Sequence, residues 1–133
     1  MREILFRGKD IKSNWYEGLL AHNIAKDEWY ISNKAGISTA YQVRPETIGQ
    51  FTGLTDKNGT KIFEGDIVEY KTGDKFRIGR VFFSDFRASF SVTAGKNGSA
   101  RINNDLFNYI QNGNSVTVIG NIYDNPELIG GVE

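Results

Sequence analysis

The sequence predicts a mainly β fold in two consecutive parts, with one short helix. Three observations carry that expectation. Short runs of β-branched and aromatic residues recur along the chain, each bounded by Gly, Asn, Asp or Ser. Fifteen glycines against two prolines in 133 residues supply tight turns rather than disordered linkers. A hydrophobic share of 39% and a charged share of 24% match an ordinary folded domain. The expected division is an N-terminal β region over residues 1–55 and a second β region over 56–133, packed together as a single compact unit.

Element by element, the apolar run Ile4–Phe6 opens the first strand, and Trp15-Tyr16 with Leu19-Leu20 continues into the second after the polar stretch Gly8–Asn14. Glu28–Ser32 is aromatic and β-branched and reads as the third. Tyr41–Arg44 alternates and must stop at Pro45, because proline pushes the preceding residue away from continuing regular structure. In Asp56-Lys57-Asn58-Gly59 the Asn-Gly pair predicts a type I′ hairpin turn. Gly65-Asp66 leads the strand Ile67–Tyr70, Thr72-Gly73-Asp74 turns the chain, and Phe76–Phe83 returns. Ser89-Phe90-Ser91-Val92 alternates as a half-buried strand does, and Gly95–Gly98 ends it. Asp105–Gln111 is the helix, with Asn103 or Asn104 as cap, Gly113 as terminator and Leu106, Phe107 and Ile110 as its apolar face. Val116–Tyr123 is the longest β-branched run and is expected as a central strand, with a bulge or close approach at Gly120.

Composition also narrows the function. The absence of cysteine excludes disulfides, thiolate metal sites and a cysteine nucleophile. The start, MREILFRGKD, lacks the apolar core of a secretion signal, and no run approaches the ~18 apolar residues of a membrane helix. A soluble, unexported protein is expected, with no membrane partner. His22 stands alone as the one histidine, and Glu64, Asp66 and Glu69 alternate across a strand rather than converge. "GKNGSA" at Gly95 lacks the spacing and the Lys-Ser/Thr pair of a phosphate loop. No catalytic set, metal or cofactor is therefore expected, and the chain reads as a non-enzyme.

Net charge is zero, yet the charges are segregated. Residues 1–70 carry −1, residues 71–101 carry +5 and residues 102–133 carry −4. Lys71, Lys75, Arg77, Arg80 and Arg87 interleave with Phe76, Phe82, Phe83 and Phe86, offering charge for phosphates and rings for stacking. The candidate binding residues are Lys71, Lys75, Arg77, Arg80, Phe83 and Arg87. The competing reading is that the acidic tail neutralises the basic segment within the fold.

Three stretches, "REILFRGK", "TIGQFTGLTDKNGTKIFEGDIVEY" and "VIGNIYDNPELI", together resemble the YopX family of phage and prophage proteins. The resemblance implies a small, mainly β accessory protein encoded by a phage of a Gram-positive host, working in the host cytoplasm, with no settled biochemical activity attached to the family. The segment from Ile62 onward also looks like the opening of an SH3-like, partly open barrel, in which a Gly-Asp pair leads one strand and a glycine marks the next. Gly65, Asp66 and Gly79 occupy those positions as a structural motif: a left-handed turn, a carboxylate that bonds back to loop amides, and a strand bend. A host or phage protein is the expected partner, nucleic acid through the basic segment 71–101 is the alternative, and self-association through β edges is open.

Overall fold

The aromatic and β-branched runs named above contribute residues to strands that pair with neighbours, though not always over the expected bounds. The computed structural model describes residues 3–32, 40–72, 74–94, 100–102 and 105–129. The Gly95–Gly98 turn, Gly73 and the caps Asn103 and Asn104 lie outside them. The architecture is two antiparallel sheets and one short helix, without a closed barrel among the described residues. The chain divides into two compact units, residues 1–53 and 54–133.

In the first unit, β1 (Phe6–Lys9), β2 (Trp15–Asn23), β3 (Glu28–Ser32), β4 (Tyr41–Val43) and the start of β5 (Gly49–Thr55) are ordered β4-β3-β2-β1-β5. The first strand begins later than hydropathy suggests. The Asp10 carboxylate sets its register by accepting the amides of Lys12 and Asn14 and the Tyr16 hydroxyl, so the turn is Asp10–Asn14 and Gly8 and Lys9 pair with Tyr16 and Trp15. Ile4 is left exposed. Backbone bonding from Asn14 leads in holding the Asp10 carboxyl below its ordinary pKa. The sheet curls until the end of β4 meets the end of β1: Arg44 N–H donates to the Lys9 carbonyl at 2.7 Å, and the buried Thr47 hydroxyl accepts the Lys9 N–H at 2.9 Å. Pro45 then opens a 3-10 turn, Pro45–Thr47, where β4 was expected to stop.

The second unit holds β6 (Lys61–Phe63), β7 (Asp66–Thr72), β8 (Lys75–Ser84), β9 (Ser89–Ala94), β10 (Ala100–Arg101), α1 (Leu106–Gln111) and β11 (Val116–Asn121). The sheet order is β10-β9-β8-β7-β11, a meander whose first strand, β7, also pairs with the last. Its core is Ile62, Val68, Tyr70, Val81, Val92, Ala94, Ile102, Leu106 and Val116. Val68, Val81, Val92 and Val116 lie on one face because paired residues share a side of the sheet. The serines of β9 were expected on a solvated face, but Ser91 and Thr93 are buried together with Val92 and Ala94. The strand is covered on both faces.

Three further local expectations are corrected by tertiary contacts. The helix is capped by Asp105, whose carboxylate accepts the Asn108 N–H at 2.8 Å, and it ends in a Schellman arrangement with Gly113 at φ +88°. Its packed face is Leu106, Tyr109 and Ile110, at i, i+3 and i+4, while Phe107 is exposed. The Asp56–Gly59 turn has positive φ at Gly59 alone, so it is not type I′. The Asp56 carboxylate organises it instead, accepting the amides of Asn58 at 2.8 Å and Thr60 at 2.9 Å. The long β-branched strand β11 is an edge strand, and its register shifts between Val118 and Gly120. Here the Asp56 turn substitutes for a missing neighbour: Val118 N–H donates to the second Asp56 oxygen at 2.9 Å and Lys57 N–H to the Val116 carbonyl at 3.2 Å.

Two outcomes follow from this packing. Burial alone raises the Asp56 pKa, but the amides of Val118, Thr60 and Asn58 and the Lys57 charge outweigh it, and the carboxyl ends below its ordinary 3.8. A depressed folded-state pKa contributes stability that is fully present above the unfolded value and is lost as pH falls through the folded value. Urea unfolding of the wild type and D56N from pH 6 to pH 2 should therefore show the wild type's advantage shrinking only at the acid end; a constant gap would contradict it. Gly79→Ala should cost about 1–3 kcal/mol in the same assay, because its Cβ would lie 2.6 Å from the Thr93 carbonyl oxygen and 2.9 Å from Val92 Cγ1.

Candidate functional site

The β7–β8 pair has a buried base and an exposed end, and the residues singled out from sequence divide between them. At the base, Gly65 adopts φ +92°, donates its N–H to the Val81 carbonyl at 2.9 Å and accepts the Ile122 N–H at 2.9 Å. A side chain there would be strained by the left-handed backbone and crowd the Tyr123 ring at 3.1 Å. Asp66 is 2% exposed and accepts the Phe63 amide at 2.7 Å, locking the turn that starts β7. Gly79 sits where a Cβ would collide with the Thr93 carbonyl of β9, so its role is close approach of two strands.

Toward the other end the register sets the surface. Lys71 pairs with Phe76, Glu69 with Ile78 and Ile67 with Arg80, and each pair shares a face. Lys71, Phe76, Ile78 and Arg80 therefore come together on the side opposite Val68 and Tyr70, with Glu69 among them; toward the base the same side is buried at Ile67. Phe76 is 69% exposed and Ile78 39%. The Lys71 ammonium lies 5.8 Å from the Phe76 ring centroid, within cation–π range. Lys75 starts β8 and is exposed.

The other predicted residues do not join this face. Arg77 pairs with Tyr70 on the opposite side of the ribbon. Burial pushes the Tyr70 phenol above its ordinary pKa, and the Arg77 charge pulls the other way. The Tyr109 ring meets Tyr70 edge-on at 6.2 Å while its hydroxyl donates to the Lys71 carbonyl, so α1 braces the strand from which Lys71 projects. Phe83 packs edge-on against Phe90 at 5.2 Å. Arg87 lies in the turn after β8, its N–H on the Ser84 hydroxyl, beside Phe86, which is 98% exposed. A ten-residue strand spans about 30 Å, so the six candidates line two faces and both ends of β8.

Sequence reasoning missed the role of Ile78 and Glu69. The pairing register could have found them, since both fall opposite or beside Lys71 once Tyr70 is taken as core. Among the described residues, no ion pair engages Lys71, Lys75, Arg77 or Arg80. No group of three metal-ligating side chains occurs among them either, and no helix is long and apolar enough to cross a membrane. His22 stacks on Trp29 at 3.8 Å and meets Asp27 at 2.8 Å, at the exposed end of the β2–β3 hairpin.

Comparison with known proteins bears on the whole chain. The family described as "YopX protein" matches over residues 5–130. The crystal structure of protein EF1440 from Enterococcus faecalis is similar at a TM-score of 0.57 and 24% identity, over 97% of this chain and 99% of that one; the likeness is one of fold. No curated protein matches the sequence.

The division between base and exposed end has a measurable consequence. Asp66→Ala should cost about 1–3 kcal/mol by urea unfolding, because it leaves the buried Phe63 amide without its carboxylate. Lys71→Ala and Arg80→Ala should each stay within about 0.5 kcal/mol of wild type. Equal losses at all three would remove the distinction.

Proposed function

The chain belongs to the YopX protein family, and from that premise we propose that it is a phage-encoded accessory protein that works in the host cytoplasm by binding a host or phage protein. The binding face is the outer side of β7 and β8. One observation carries the reading: Phe76 and Ile78 stay exposed in regular strand, flanked by Lys71 and Arg80. An aromatic and an aliphatic side chain bordered by charges is the composition of an interface core with a polar rim. Glu69 within the patch favours a protein over a uniform polyanion, since it would face phosphates with its own negative charge. The meander closed by a final strand on its first member supports reading the second unit as SH3-like, a scaffold whose function resides in such surface patches. The reading assigns the chain no catalytic residue, metal or cofactor.

Nucleic acid is the second reading, favoured by Lys71 beside the exposed Phe76 ring on one face and by Lys75 and Arg77 on the other face of the same end of the ribbon. Two measurements separate the two. Cross-linking capture from phage-infected host lysate should recover a protein with wild type and lose it with Phe76→Ser/Ile78→Ser of unchanged circular dichroism. Titration with mixed-sequence single- and double-stranded DNA and RNA should show no steeply salt-dependent binding. Binding that falls steeply with salt and vanishes in Arg77/Arg80/Arg87→Ala would put the nucleic-acid reading first.

A further inference from the structure

An edge strand exposes one row of unpaired N–H and C=O groups, and proteins guard it with Lys, Pro, bulges or a covering segment. In β11, Val116–Asn121 reads VTVIGN, with no charged residue and no proline. Its register shift after Val118 confines the regular ladder to Val116–Val118. In an antiparallel ladder the N–H and C=O of one residue point to the same side. Val116 and Val118 direct theirs away from β7, since the Val116 carbonyl and the Val118 N–H are met by Lys57 and Asp56. The guard of this edge is thus imported from 62 residues upstream. It is organised independently of the strand, because the other Asp56 oxygen holds the amides of Asn58 and Thr60.

We infer that the Asp56-Lys57 turn is an internal cap on a self-pairing edge, and that the occupant which replaces it is β11 of a second copy of this chain. Antiparallel pairing about a two-fold axis at Thr117 sets Val116 of one copy against Val118 of the other, twice. Such a contact is self-complementary and closes as a dimer. Both strands are β-branched throughout this segment and neither brings a charge to repel the other. The half-exposed Ile119 adds apolar surface next to the pair. The inference is independent of the β7–β8 binding face, which lies on β11's far side of the ladder and keeps its residues in either state.

The test is molecular mass by light scattering across a concentration series, on full-length chains. Wild type should run at 14.9 kDa. D56A should move toward twice that mass as concentration rises, and D56A/V118P should return to a single chain. Proline is tolerated in an edge strand where its missing N–H faces outward, and it removes the donor that a second strand needs. The inference is overturned if folded D56A stays a single chain at the highest concentration, if D56A/V118P associates as strongly as D56A, or if wild type already has the doubled mass. Should D56A fail to fold by circular dichroism, K57P decides. Proline suits the second position of such a turn, and it deletes the bond to the Val116 carbonyl and the Lys57 charge while leaving the Asp56 carboxylate in place; a partial shift in mass supports the cap, and a folded, single-chain K57P overturns it.

Discussion

The carboxylate of Asp56, with the neighbouring Lys57 amide, binds together parts of the second unit that are distant in the sequence. One oxygen closes its own turn through Asn58 and Thr60, and the other takes the Val118 amide of a strand 62 residues later. A carboxylate accepting several amides in a nearly dry setting stays ionised, and three satisfied donors offset much of its desolvation. Through it the register of β11 on β7 is set from outside the ladder. The core depends on that register, because a slip by one residue would turn Val116 and Val118 away from Val68 and Tyr70.

The Gly65-Asp66 turn does for the start of β7 what Asp56 does for β11. Both place a buried aspartate against backbone amides, Phe63 in one case and Val118 in the other. With its start held by this turn and its flank by Tyr109, β7 projects Lys71 in a defined direction and brings Phe76 opposite it. The surface patch is thus a consequence of a rigid base. Preorganisation of this kind lowers the entropic cost of binding, which is why side chains on regular strands serve as recognition surfaces.

Much of the architecture was legible in the sequence. Strand positions followed from β-branched and aromatic runs, the stop at Pro45 from proline chemistry, and the left-handed turn from Gly65. What local patterning misplaced has a common origin. Ser91 read as solvent-facing by alternation, yet it lies buried. Phe107 read as a packing residue by helical spacing, yet it faces water while Tyr109 packs. The candidate cations read as one constellation because they are close in sequence, but alternation along β8 sends Arg77 and Arg80 to opposite faces and Arg87 to the far end.

The strand content, the turn chemistry and the segregation of charge are properties of neighbouring residues, so the sequence alone determined them through backbone preference and side-chain period. Which strand lies at the edge, which face is buried and which exposed rings stand beside which cations were decided only in three dimensions. Those outcomes depend on pairings such as Asp56 with Val118 and Lys71 with Phe76, where the stabilising contact exists only once distant or folded-back segments meet.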